Sequence, residues 1–319
     1  MKNYIFKSIL IIFISIFSIA GPFYSYINTN NYSDFEFINL EAGTSNHKGI
    51  ANLKNEINYL DRFFLKIFFT LYKSPYQSGE YVVKNKSLIE IQNDFISGNI
   101  LINELTIIPG MNIYEINNLI DNTSLINDCI NLKCLDNSFS FYEGTIFPDT
   151  YFYKKGMLVS KLLQESSTNL ENFIKNLYKN KPKNNPLSSI EDVLILASII
   201  EKEAGTEDEK DLIASVFLKR LEIGMRLQAD PTIIYGLLPN FDGDIKTSDI
   251  KNKDNIFNTY VINKLPPTPI AVVNKKSIEA AVLNIPGEYL YFVANNKGDH
   301  YFSKSYDEHL EAVKLYQIK

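Results

Sequence analysis

The chain has 319 residues, 45% of them hydrophobic and 13% aromatic, enough to build a full core and more than one domain. Its 37 acidic residues against 32 basic ones give a net charge of -5, and no Lys/Arg block breaks the mixture, which argues against nucleic acid as a partner. Two cysteines, Cys129 and Cys134, are too few for a disulfide framework and lack a second pair to close a zinc site; one small bridge or two thiols fit equally well.

Lys2 and Lys7 precede an apolar run that continues from Ser8 to about Ile27, so residues 1–27 read as a membrane anchor. The alternative is a signal peptide cleaved near Ser18 and Ala20. An uncleaved anchor with lysines on its amino side puts the amino terminus in the cytoplasm and the bulk of the chain outside it, at a single-pass inner (cytoplasmic) membrane location. Residues 28–74 follow as a polar linker, Asn28 to Lys48, and then a helix marked by Leu53, Ile57, Leu60, Phe63, Phe64 and Phe68.

From residue 75 to 138 the texture changes to a small β/α unit. Tyr81–Val83 is expected as a strand, Leu88–Ile96 as a helix stopped by Gly98, Leu105–Ile108 as a strand and Ile113–Ile120 as a helix. Residues 139–319 form a larger α+β domain. Phe141–Tyr153 carries aromatics around a Pro148-Asp149-Thr150 turn, a lining suited to a sugar cleft, with packing at a core edge as its alternative.

A long helix over Gly156–Leu177 leads to the centre of the chain. Ser188 with Glu191 reads as a capping box, Val193–Ile200 is wholly apolar or small, and Gly205 reads as a left-handed stop, so a buried helix ends in Glu201, Lys202 and Glu203. Glu201 lies over small Ala197 and Ser198, whereas Glu203 lies over Ile199 and Ile200; Glu201 is therefore the carboxyl a ligand could approach and the candidate general acid. Both glutamates marking a solvated helix end is the alternative.

Thr206 with Glu209 reads as the cap of a second helix over Leu212–Leu221. Arg226–Asp230 is expected to be strand-like, with Asp230 capping a short helix that starts at Pro231 and with Gln228 and Asp230 on one side. Phe257–Ile270 holds three prolines and reads as a rigid loop presenting Asn258 and Tyr260. The tail reads as a helix over Ser277–Leu283, a Tyr289–Ala294 and His300–Ser303 hairpin, and a helix capped by Ser305 with Glu308. His300 and His309 match no usual zinc spacing, so neither metal nor cofactor is expected.

The words EGTIFPDTY, LASIIEKEAG, IASVFLKRLEIGMRLQADPTIIYG, NTY with LPPTPI, and YLYFVANNKGDHYFS stand in one order between Glu143 and His309. In these the chain resembles the endolytic murein transglycosylases, the MltG/YceG-like family. It departs from the family's usual residues at Lys219, Ala229, Phe257, Lys264 and Thr268, none of which touches Glu201.

The resemblance implies a LysM-like subdomain in the 75–138 region and cleavage of the β-1,4 bond between N-acetylmuramic acid and N-acetylglucosamine within glycan strands, leaving 1,6-anhydro ends. It assigns the acid to Glu201, and Gln228, Asp230, Asn258 and Tyr260 are the candidate sugar contacts. Peptidoglycan synthases are the implied neighbours of anchored members. Two competing readings remain: a non-catalytic, membrane-anchored peptidoglycan-binding protein, and a metal-dependent amidase using His300 and His309.

Overall fold

The apolar run at the start of the chain forms helix α1 (Lys2–Asn28), with no acid in its first turn and Pro22 inside it. The computed structural model describes residues 2–317, except for the side chains of residues 2–12 and 15. Among the described residues no helix is long and apolar enough to cross a membrane. Much of the stretch on which the anchor expectation rests, Lys2 and Lys7 included, lies in the undescribed side chains. The chain divides into one unit of residues 1–103 with 152–155 and a second of residues 104–151 with 156–319.

In the first unit, β1 (Phe37–Leu40), α2 (Asn46–Ala51), α3 (Tyr59–Leu71), β2 (Gly79–Val82) and α4 (Leu88–Ser97) follow α1. The expectation of a structureless linker over Asn28–Lys48 is corrected here: β1 pairs antiparallel with β2, Phe37 opposite Val82 and Leu40 opposite Gly79. Its partner lies about 40 residues on, and four residues carry too little periodicity to announce a strand. Ile38 and Leu40 point inward and join Tyr81, Leu88, Ile91, Phe95 and Phe68 in one core. Gly98 ends α4 in the left-handed conformation, at φ 71°.

The second unit begins in β3 (Asn103–Ile107) and includes α5 (Ile113–Asp121), elements that the sequence groups with the preceding small unit. Cys129 and Cys134 are joined by a disulfide in the connector that follows. Asp149–Tyr153 forms strand β4, paired with β3, where the sequence suggests a turn at residues 148–150. Beyond it come α6 (Val159–Tyr178), α7 (Ile190–Glu203), α8 (Lys210–Glu222), α9 (Asp230–Leu237), α10 (Thr247–Ile250), α11 (Lys275–Leu283), the antiparallel hairpin β5 (Tyr291–Ala294) with β6 (His300–Ser303), and α12 (Tyr306–Tyr316).

Helix α7 is the spine of this unit, buried without interruption from Val193 to Ile200 and packed by α6, α8 and α11. An almost wholly apolar helix is stable in water only when covered on every side. Its capping box is one residue later than expected: Ser189 Oγ accepts from the Asp192 N–H at 3.0 Å, while Glu191 accepts from the Ser140 N–H at 2.7 Å.

The far end also differs from the sequence reading. The helix stops at Ala204 in an extended conformation, so Gly205 is not a left-handed cap. Gly205 is small for another reason, since a Cβ there would lie 2.4 Å from the Gly298 carbonyl oxygen in the β5–β6 turn. Gly205→Ala is therefore expected to cost about 1–3 kcal/mol through overpacking against backbone, read as a lower thermal midpoint.

Candidate active site

The two acids at the end of α7 face different surroundings, because two residues along a helix turn it by about 200°. Glu201 is enclosed. Its side chain is 7% exposed and that of its partner Lys210 is 3% exposed. The Lys210 ammonium donates to both carboxylate oxygens at 3.1 and 3.2 Å, the Ser277 hydroxyl donates at 2.6 Å and the Asn274 N–H at 3.1 Å. The last two come from the start of α11, where a carboxylate also meets the positive end of the helix dipole.

Every partner of Glu201 is a donor, which suits a structural carboxylate that only accepts. The room that small Ala197 and Ser198 promise is already filled. Ser198 is fully buried and its hydroxyl accepts from the Ile270 N–H at 3.0 Å, so the loop before α11 covers that side of the helix. Glu201 does not line the cleft described next.

Glu203 does. It forms one wall of a cleft of about 440 Å³ with Arg220, Gln228, Asp230 and Tyr260 on one side and the β5–β6 hairpin and α12 on the other. Burial, then the negative charge of Asp230, push its carboxyl from the ordinary 4.5 up to about 8, while Arg220 pulls the other way. No hydrogen bond from the described residues reaches that carboxyl, leaving its proton free for a ligand. Arg220 is buried and committed elsewhere: its Nε donates to the Leu290 carbonyl at 2.8 Å, another guanidinium nitrogen to the Leu227 carbonyl, and the group lies over the Tyr291 ring.

Asp230 and Tyr260 are brought together by a buried threonine staple. Thr232 and Thr259 hydroxyls sit 2.9 Å apart, and the Thr259 hydroxyl also accepts from the Ala229 N–H at 2.9 Å. This joins the start of α9 to the Phe257–Ile270 loop, and the Tyr260 O–H donates to Asp230 Oδ1 at 2.7 Å. Gln228 reaches the same cleft, although the strand-like geometry expected for Arg226–Asp230 does not hold: Gln228 has φ 52°, and Asp230 begins α9 instead of preceding it.

Asn258 is not in the cleft. It is fully buried, and its amide donates to the carbonyls of Asp249, Ile250 and Asn252, each at 3.0 Å, tying α10 to the loop. Asn258→Ala is expected to lower stability by about 1–3 kcal/mol, measured as a shift of the denaturant midpoint. An unchanged midpoint would instead return Asn258 to the candidate ligand contacts.

Two histidines complete the far wall. His300 Nδ1 sits 3.2 Å from Glu209, whose other oxygen accepts the His300 N–H, so Glu209 serves the hairpin and not the cap expected with Thr206. His309 stacks on Tyr291 with ring centres 5.2 Å apart, and burial followed by the charge of Arg220 holds its pKa below the usual imidazole value. His309 Nδ1 is buried with no partner among the described residues. Among the described residues no group of three or more His, Cys, Asp or Glu could hold a metal.

The aromatic Phe141–Tyr153 stretch lines a different groove. Phe147 and Tyr151 face Phe173 and Lys275 there, in a space of about 800 Å³ that shares no residue with the Glu203 cleft. Another buried acid, Glu143, is internal: it accepts from the N–H groups of Ile113 and Gly144 and from the Tyr235 O–H, and burial raises it to about 7.

Fold and cleft together define an α+β protein whose open cleft holds a carboxyl raised far above its ordinary range, set among polar and aromatic side chains. Residues 38–315 match the YceG-like family. Over 184 residues the chain is 35% identical to a Bacillus subtilis protein named endolytic murein transglycosylase, an overlap of 54% of this chain and 48% of that one. Over 172 residues it is 29% identical to a Streptococcus pneumoniae protein of the same name, covering 52% and 31%. A crystal structure of a YceG-like protein from Listeria monocytogenes is similar at a TM-score of 0.53 and 27% identity, across 86% of this chain and 98% of that one. The chain belongs to the YceG-like family. It spans about half the length of the first of these curated relatives and about a third of the second.

Proposed function

We propose that this protein is an endolytic peptidoglycan transglycosylase whose acid and base is Glu203 and not Glu201. The observation that carries the reading is a carboxyl raised to about 8 by burial and by Asp230, without a hydrogen-bond partner among the described residues, in the wall of an open cleft. A group so tuned holds its proton at neutral pH and can give it to a leaving oxygen.

In the proposed reaction Glu203 protonates the glycosidic oxygen as the bond between it and the muramoyl anomeric carbon breaks. The resulting carboxylate takes the proton of the muramoyl 6-hydroxyl as that oxygen bonds to the same carbon. The strand is cut into a 1,6-anhydro end and a free 4-hydroxyl, with Glu203 protonated again. Because the substrate supplies the nucleophile, one carboxyl suffices. Asp230, Gln228, Tyr260 and the His309 ring are the groups available to hold the sugars.

Mass spectrometry of products from purified sacculi tests this. Anhydromuropeptides are the expected product. Hydrolysed reducing ends would favour a two-carboxylate hydrolase in which Asp230 activates water, and no product at all would favour the non-catalytic peptidoglycan-binding reading. In the same proposal α1 tethers the chain to the cytoplasmic membrane with its bulk outside, the LysM-like region carries glycan, and peptidoglycan synthases are neighbours. Protease protection of the bulk of the chain in intact cells, lost when the outer layers are opened, checks the placement.

A further inference from the structure

Helix α3 keeps a large apolar surface outside its own core. It buries Phe64, Leu65 and Phe68, and turns Tyr59, Leu60, Arg62, Phe63 and Lys66 outward. Tyr59 is 88% exposed, Leu60 56% and Phe63 45%. Positions 59, 60, 62, 63 and 66 fall on one helical face. The only acid of the helix, Asp61, points the other way: it is 3% exposed, paired with Lys54 at 2.8 Å, and accepts from the Tyr26 O–H at 2.8 Å. The outward face therefore combines aromatic and aliphatic groups with positive charge from Arg62 and Lys66 alone.

This face is joined to α1. Phe23 and Tyr26 pack on Phe64 with ring centres 6.0 and 5.0 Å apart, and Phe64 touches Phe63. Upstream, α1 exposes Phe13, Ile14, Ile16 and Phe17. Phe17 stands near the middle of the apolar run, and nine residues of helix from there to Tyr26 rise about 13 Å, close to half of a ~30 Å hydrocarbon layer. An α1 embedded around Phe17 brings Tyr26, and with it α3, to the headgroup level.

We propose that the outward face of α3 lies on the surface of a bilayer containing anionic lipid. Tyr59, Leu60 and Phe63 enter the boundary of the acyl chains, and Arg62 and Lys66 extend to the phosphates, the arrangement of a basic interfacial helix. The inference rests on α1 being membrane-embedded, and its test separates the two.

The chain has no tryptophan, so Phe63→Trp, Phe17→Trp and, as an exposed control, Tyr301→Trp each introduce a sole indole. Each full-length variant is reconstituted into phosphatidylcholine vesicles, with or without phosphatidylglycerol, carrying bromine near the headgroup end or near the tail end of the acyl chains. The expected result is Phe63→Trp quenched about twofold by shallow bromine, Phe17→Trp quenched by deep bromine, and Tyr301→Trp unaffected. Arg62→Glu with Lys66→Glu should remove the extra shallow quenching that phosphatidylglycerol gives.

Deep quenching of Phe17→Trp with Phe63→Trp behaving as the control would overturn the proposal and leave the anchor standing. Quenching of neither overturns both. A blue-shifted but unquenched Phe63→Trp means that protein, not lipid, covers the face.

Discussion

Glu203→Gln is expected to reduce release of anhydromuropeptides from sacculi by about 10²–10⁴-fold, the range for loss of a general acid–base group. Its cleft position predicts this with little change in KM, since the amide keeps the size of the side chain and removes only the proton. Glu201→Gln is expected to act differently. It removes a charge from a buried pair, but Lys210 keeps Glu207 at 2.6 Å as a second partner. The cost is accordingly below the full value for a broken buried pair, about 2–3 kcal/mol. Folded Glu201→Gln protein should retain kcat within a few-fold, the sign of a positioning role. Full activity in Glu203→Gln, with activity lost in a well-folded Glu201→Gln, would reverse the assignment and return to the reading from helix spacing alone.

The raised carboxyl also has a stability signature. In the unfolded chain Glu203 ionises near the ordinary 4.5, and in the folded protein near 8. Between those values the folded state holds a proton that the unfolded state has lost, so this group's contribution is fully present below about pH 4.5 and is lost as pH rises toward 8. Glutamine never ionises, so Glu203→Gln should equal wild type at pH 4.5 and become progressively more stable than it up to pH 8, with no further gain above. Because the cleft admits solvent, the gain is expected to be about 1–3 kcal/mol, well under the full linkage value. Glu143, raised to about 7 by burial, gives both proteins the same falling slope and cancels in the difference. Thermal melts at pH 5, 6.5 and 8.5 measure it, and a difference that is flat across that range would mean that Glu203 is already charged at neutral pH. A stabilised, inactive variant is the pattern of a site whose chemistry costs the fold some stability.

Much of the second unit was legible in the residues. The apolar run Val193–Ile200 could only be a covered helix, the helix expected over Leu212–Leu221 lies within α8, and Ser305 with Glu308 caps α12. Strand β1 was not legible, because Phe37–Leu40 becomes a strand only through β2 far along the chain. Asn258 looked available because a proline-rich loop exposes its backbone, yet its amide is consumed by three carbonyls of its own neighbourhood. Thr259 was missed outright, and His309 was weighed only as a metal ligand, not as part of a cleft wall. The staple needed Thr232 as its counterpart, and nothing local to His309 says that its ring stacks on Tyr291.

The sequence by itself determined that a greasy helix ends in two acids two residues apart, and that Gln228 and Asp230 stand just ahead of Pro231 and Tyr260 in a proline-rich loop. Which acid meets the cleft was decided only by tertiary structure. A helix sets the angle between Glu201 and Glu203 but not the direction in which either faces. That direction is set by Lys210, Ser277 and the backbone around Ile270, which close over one acid, and by Asp230, Arg220 and the terminal hairpin, which leave the other protonated and open.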